Sequence, residues 1–193
     1  EHDISFKELT DIIRRLIKIA ENKNLVFGVK LTNTFPVKIT RNELQGNDMY
    51  MSGPPLYPFS INVAAMIAKE FNGDLPISYS GGADVNNIKD ILDTGIYPVT
   101  VSTLLLKQGG YKNITRLNEK CKDYKRGKIT KINVEKLEAL ASKSISDFNY
   151  SKNIKKKAEI KGGDYSEFCS KCKNCVDVCP NRSNKLVNVD GKK

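Results

Sequence analysis

"ISYSGGADVNNIKDILDTGIYPVTVSTLLL", from Ile77 to Leu106, is the stretch whose reading decides the fold. "LPISYSGG" is a short strand that runs into two glycines. "ADVNNIKDILDTG" has helical spacing and is closed by Gly95, a residue type that favours helix C-termini. "YPVTVSTLLL" is a second strand running into a second helix. Strand, helix, strand and helix in this order, with mostly apolar strands, is the pattern of parallel β/α units covered on both faces.

Reading outward from there, the same alternation extends toward the N-terminus. Leu9, Ile12, Ile13, Leu16, Ile17 and Ala20 recur at helical spacing between Phe6 and Ala20. "LVFGVKL" (Leu25–Leu31) is short and apolar and reads as a buried strand. "TNTFPVKITRNELQGNDMYMSGPP" mixes polar residues with Gly and Pro and reads as a long loop. "LYPFSINVAAMIAKEF" (Leu56–Phe71) returns to helical spacing. The strands near Val26–Leu31, Ile77–Ser80 and Val99–Val101 are therefore expected to lie parallel and adjacent. After Gly109 and Gly110 the alternation stops. "YKNITRLNEKCKDY" and "INVEKLEALASKSI" are two helices with no strand between them. Three β/α units are too few to close an eight-stranded barrel. The expected fold is α/β: either a small open sheet or the last β/α units of an incomplete TIM-type (β/α)8 barrel. The expected segments are a partial barrel domain over 1–110, a helical extension over 111–150, a Lys-rich linker over 151–166 and a cysteine-bearing segment over 167–193.

Composition sets the class. Apolar residues make up 39% and charged residues 28% of the 193 residues. No apolar run reaches the roughly 18 residues of a membrane span, and no export signal is visible, so no membrane association and a cytoplasmic location are expected. The net charge of +10 is unevenly placed. Residues 1–119 hold 13 basic and 13 acidic residues, and residues 120–193 hold 19 and 9. The excess is densest at "KNIKKKAEIK" (Lys152–Lys161). No nucleic-acid motif accompanies it, so a solvated linker and surface helix is the plainer reading, with a surface for an acidic protein partner or nucleic acid as the alternative.

Two strand ends carry chemistry. "YSGGAD" (Tyr79–Asp84) places Gly81 and Gly82 where a backbone can approach a ligand closely, ahead of a helix whose free N–H groups suit a phosphate. "VSTLLL" places Ser102 and Thr103 at the next strand end. Two adjacent strand ends equipped in this way are what the phosphate site of a β/α barrel requires. The alternative is that both are ordinary turns.

The segments "TDIIRRLIKIAENKNLVFGVKLTNTFPV", "MYMSGPPLYPFSINVAAMIAKEF", "ISYSGGADVNNIKDILDTGIYPVTVSTLLLKQGGY" and "VEKLEALASKSISD" resemble the flavin barrel of the selenate reductase large-subunit family. That family is related to dihydropyrimidine and dihydroorotate dehydrogenases. The likeness covers roughly residues 7–150. It implies an FMN across the C-terminal mouth of a (β/α)8 barrel. By the same resemblance, Ser80, Gly81 and Gly82 follow the seventh barrel strand, and Ser102 and Thr103 follow the eighth. Asn33 and Thr34 match a pair after the sixth, and Ser52 and Gly53 match a Ser-Gly pair opening the next helix. Lys30 in "VKLTNT" is similar to a flavin-contacting lysine of the dehydrogenases. The helix before it, however, aligns with the one preceding the sixth strand, so a basic residue at a strand end is the competing reading. The dehydrogenases' active-site loop, with its Cys or Ser, has no counterpart. Cys121 is expected to be a structural thiol.

The remaining four cysteines fall in "EFCSKCKNCVDVCPNRSN" (Glu167–Asn184). The spacing Cys169-x2-Cys172-x2-Cys175-x3-Cys179-Pro180 is the bacterial ferredoxin run. Four thiolates without histidine suit an iron–sulfur cluster or zinc. Zinc usually takes two C-x2-C pairs separated by a longer loop, and disulfides need an oxidising compartment. A [4Fe-4S] cluster is the expected occupant. Cys179 either joins it or serves a second site, the fourth ligand then coming from Cys121 or from another segment or partner. Together these features lead to an electron-transfer component of a flavin and iron–sulfur oxidoreductase, working with other segments or subunits and not expected to be catalytically competent alone. The alternative is a non-catalytic module that docks on a partner through its basic tail.

Overall fold

The computed structural model describes residues 4–40, 47–106, 109–124 and 131–151. Its first helix, α1 (Phe6–Glu21), starts at a capping box. The Ser5 hydroxyl accepts from the Glu8 N–H, and the Glu8 carboxylate accepts the Ser5 N–H at 2.8 Å, so two otherwise orphaned donors are satisfied reciprocally. Only part of the helix's apolar face is covered. Ile13 is buried, with Leu9 and Ile17 packed against the core, while Ile12, Leu16 and Ile19 remain exposed.

A three-stranded parallel sheet is formed by β1 (Val29–Leu31), β4 (Ile77–Ser80) and β5 (Val99–Thr100), in the order β1-β4-β5. Val29 pairs with Ile77, Leu31 with Tyr79, and Tyr79 with Val99. Because side chains alternate along a strand, these residues share one face, and all five belong to or pack against the apolar core. Lys30, Ser78, Ser80 and Thr100 fall on the opposite face.

Three local readings of the sequence need correction. The apolar run Leu25–Leu31 is strand only from Val29, and Leu25 and Val26 are exposed. The segment read as a long loop contains an antiparallel pair, β2 (Phe35–Lys38) and β3 (Asp48–Met51), with Phe35 opposite Met51 and Lys38 opposite Asp48. The helix expected from Ala83 begins only at Ile88, as α3 (Ile88–Leu92). The Asp84 N–H donates to Asn87 Oδ1 at 2.8 Å and the Asn86 N–H to Asp84 Oδ1 at 2.7 Å. These side-chain acceptors hold the backbone in a turn where a helix would otherwise continue.

α2 (Tyr57–Glu70), entered through a 3-10 turn at Pro54–Leu56, is the centre of the core. Tyr57, Ile61, Ala64, Ala65, Ile67 and Ala68 are all buried. A helix apolar on more than one side must be covered on more than one side. Here the sheet covers one side, and α6 (Val134–Ser146) packs against another with Leu137 and Ala141. The short α4 (Thr103–Leu106), α5 (Lys112–Cys121) and α7 (Phe148–Ser151) complete the order. One apolar core thus runs from Ile13 to Tyr150. Among the described residues, no helix is long and apolar enough to cross a membrane.

Leu137 is fully buried, so Leu137→Ala should cost about 2–5 kcal/mol. Urea unfolding followed by circular dichroism measures it. A cost under about 1 kcal/mol would show that α6 is not part of the core.

Candidate functional site

A cavity of about 210 Å³ lies at the carboxyl ends of the parallel strands. It is bordered by Asn33 and Thr34 after β1, Ser52 and Gly53 after β3, Ser80, Gly81 and Gly82 at the end of β4, and Ser102 and Thr103 after β5. The structure therefore brings all nine residues nominated from the sequence around one space. Carboxyl ends of parallel strands are where open and closed α/β sheets place their ligands.

Glycine is required here for space as well as for conformation. Gly82 has φ +74°, and a Cβ on it would lie 2.6 Å from the Gly53 carbonyl oxygen and 2.7 Å from the Tyr57 nitrogen. Gly53 has φ +70°, and its Cβ would sit 2.9 Å from Thr103 Cγ2. The segments after β3 and β4 therefore approach backbone to backbone at Gly82, and the Thr103 side chain after β5 closes on Gly53.

The walls are fixed from behind. The Tyr79 hydroxyl donates to the Gly81 carbonyl at 2.9 Å, and Asn87 Nδ2 donates to the Gly82 carbonyl at 3.0 Å. The Thr32 and Ser60 hydroxyls bond each other at 2.6 Å, and Thr100 Oγ1 donates to the Tyr79 carbonyl at 3.2 Å. With the glycine carbonyls occupied, the turn keeps its donors for the cavity. Among the described residues, the backbone N–H groups of Gly82, Ser102 and Thr103 and the hydroxyls of Ser102 and Thr103 donate to no protein acceptor.

The cavity's charge is low. Among the described residues that line it, Asp84 is the one charged side chain, and its carboxylate accepts the Asn86 N–H. No described lysine or arginine borders the space. Any anion there would be held by neutral donors, without a cationic clamp. The helix dipole expected behind the glycines is also not available at the cavity, because α3 starts six residues after Gly82 and contributes no lining residue.

Lys30 is exposed on β1, opposite Ser78, and does not line the cavity. Cys121 is half-buried at the end of α5, and burial pushes its thiol above the ordinary value. The described residues contain no cluster of His, Cys, Asp and Glu able to hold a metal. Cys169, Cys172, Cys175 and Cys179 lie outside the described residues. Sequence reasoning did not nominate Ser60, Tyr79 or Asn87, which brace the glycine turn from behind. Of the three, only Asn87 lies in a run, Asp84-Val85-Asn86-Asn87, whose residue types also favour turns.

Comparison with known proteins gives the lineage. No solved structure matches the chain. Two Escherichia coli proteins, from strain K12 and from O157:H7 and each named "Putative oxidoreductase YgfK", are 42% identical to it over 146 residues. The match takes in 76% of this chain and 14% of each relative's length. The family model described as "Oxidoreductase YgfK, N-terminal TIM-barrel domain" matches residues 1–152. It takes in every described element of the structure, the cavity included, and the chain accordingly belongs to the family of the oxidoreductase YgfK N-terminal TIM-barrel domain.

Proposed function

We propose that residues 1–151 form the phosphate-gripping part of a flavin-binding barrel in an oxidoreductase, and that the cysteine segment carries a [4Fe-4S] cluster that exchanges electrons with the flavin. The observation that carries this reading is the convergence of three strand ends on one cavity with glycine backbones in contact and free neutral donors. The residues present fit the phosphate end of FMN. The N–H groups of Gly82 and Thr103 and the hydroxyls of Ser102 and Thr103 would hold the phosphate oxygens. Asn33, Thr34, Ser52, Gly53, Ser80 and Gly81 would wall the adjoining chain. A space of about 210 Å³ suits a phosphate and the start of a ribityl chain, not a whole flavin.

FMN would supply the conversion between two-electron substrate chemistry and one-electron transfer. This chain's own contribution at the cavity is binding and orientation. It offers no described acid or base there beyond Asp84, whose carboxylate already accepts a hydrogen bond. Substrate turnover would rest on other segments or subunits of a multi-component oxidoreductase. The cluster is supported by the spacing from Cys169 to Cys179 and by membership of an oxidoreductase family.

The experiment compares FMN with riboflavin, which lacks the phosphate, by quenching of flavin fluorescence on the full chain. Hydrogen bonds to a charged group contribute about 1.5–3 kcal/mol each. Two of them should make FMN bind at least about 100-fold more tightly. Equal affinities would remove the phosphate site. A folded chain that binds neither flavin, and is colourless after iron–sulfur reconstitution, would favour the docking-module reading.

A further inference from the structure

Asn87 does not border the cavity and is only 2% exposed, yet its side chain holds the turn that does at two points. Its Nδ2 donates to the Gly82 carbonyl at 3.0 Å, and its Oδ1 accepts the Asp84 N–H at 2.8 Å. These bonds use the two ends of one amide and so fix its orientation. Turned over, it would set donor against donor and acceptor against acceptor.

The consequence lies on the far side of the same peptides. A trans peptide carries its C=O and its N–H on opposite sides, and both peptides that flank Gly82 are trans. The Tyr79 hydroxyl holds the Gly81 carbonyl at 2.9 Å, so the Gly82 N–H is turned away from Tyr79. Asn87 holds the Gly82 carbonyl, so the Ala83 N–H is turned away from Asn87. Neither anchor borders the cavity, whereas Gly82 and Ala83 both do. Among the described residues, neither of those N–H groups donates to a protein acceptor. The other end of the Asn87 amide does the reverse to the next residue, because it occupies the Asp84 N–H. Consecutive backbone N–H groups that face one way form a concave anion site.

We propose that Asn87 is a positioning residue for the phosphate in this cavity, and that the Ala83 N–H it aims donates to that phosphate beside the Gly82 N–H. The inference rests on the reading of the cavity as a phosphate site. Asn87 itself touches no ligand. It acts through the Gly82–Ala83 peptide, and it limits the donors of the turn by keeping the Asp84 N–H for itself. The side chain suits the task because it carries a donor and an acceptor. Aspartate has the same shape without the donor, and leucine has similar bulk with neither.

Two measurements on the full chain test it. In isotope-labelled protein, the Ala83 amide proton should move downfield on titration with FMN and stay in place with riboflavin, which has no phosphate. Asn87→Ala should lower the ratio of FMN to riboflavin affinity about 10-fold or more, the loss of one hydrogen bond to a charged group. Riboflavin affinity itself should change by less than about twofold. If Asn87→Ala does not fold, Asn87→Leu, which keeps the bulk, takes its place. An Ala83 resonance indifferent to FMN overturns the inference and leaves the phosphate site standing. So does a variant that keeps the parent's ratio, or one that weakens both flavins alike, since Asn87 would then only brace the fold. Equal affinities of the parent for FMN and riboflavin remove the phosphate site itself, and this inference with it.

Discussion

Gly82→Ala should abolish flavin retention and lower the stability of the unit by about 2–4 kcal/mol, the sum of backbone strain and overpacking. The strain arises because Gly82 sits at φ +74°, where an L side chain is disfavoured. The overpacking arises because the new methyl would meet the Gly53 carbonyl oxygen at 2.6 Å and the Tyr57 nitrogen at 2.7 Å. Both are backbone atoms, and neither can rotate away as a side chain would. The Gly53 segment must shift from the Gly82 turn, and the two walls of the cavity separate. Gly109→Ala is the matching control. Gly109 also has positive φ, at +70°, but nothing lies within 4 Å of its would-be Cβ. That variant should show the strain alone, about 1–2 kcal/mol, and keep its flavin. Denaturant midpoints give the stabilities, and flavin absorbance after gel filtration gives the retention. If Gly82→Ala were no less stable than Gly109→Ala and equally yellow, the close approach of the two walls would play no part in binding.

The glycine turn also marks where the sequence was legible and where it was not. The strands β4 and β5 could be read because Pro76, Gly81–Gly82 and Pro98 punctuate them, and Ile77, Tyr79 and Val99 supply apolar residues between. The β2–β3 pair could not. Phe35-Pro36-Val37-Lys38 and Asp48-Met49-Tyr50-Met51 have little of the alternation that marks a half-buried strand, and Pro36 gives up a ladder donor opposite Tyr50. Phe35 meets its ring partner, Phe59, 24 positions on, with centroids 6.1 Å apart, a contact that local propensity does not reveal. The opposite error occurred at Leu25 and Val26, where an apolar pair reads as strand but is left exposed. Pairing with β4 begins only near Gly28, whose missing side chain lets the Pro76 carbonyl come close.

The cavity was more legible than the fold around it. Its residues sit at strand ends, where short polar and glycine runs interrupt apolar ones, and such interruptions are visible without knowing what packs where. The bracing residues were invisible for the same reason. Ser60 lies inside an apolar helix and Tyr79 inside a strand, and each acquires its role only through a partner distant in sequence. The role of α6 is similar. A change of periodicity after Gly110 reads as the start of a separate helical segment, yet Leu137 and Ala141 close the same core as Ile61 and Ile77. Periodicity reports which face is apolar, not which element it will cover.

Cys172→Ser should remove most of the iron and acid-labile sulfide from the anaerobically reconstituted full chain, while Cys121→Ser should remove none. The reason is reach. Two-residue spacers would let the thiolates of Cys169, Cys172 and Cys175 reach one cubane, and Cys172 is the middle one. Its loss leaves Cys169 and Cys175 separated by five residues, with no thiolate between them. Cys121 differs in both respects: it ends α5, is half-buried, and has a thiol that burial holds above its ordinary value, which disfavours the thiolate a metal needs. Cys179→Ser separates the two ligation schemes. If Cys179 completes the same cluster, its serine variant should lose iron nearly as far as Cys172→Ser. If it serves a second site, roughly half or more of the iron should remain. With only Phe168, Val176 and Val178 as apolar residues near the cysteine run, metal binding and local folding are expected to be coupled. Protease resistance after Glu167 should therefore rise on reconstitution and be lost again in Cys172→Ser. Stoichiometric zinc without labile sulfide would overturn the assignment, as would iron content indifferent to Cys172→Ser.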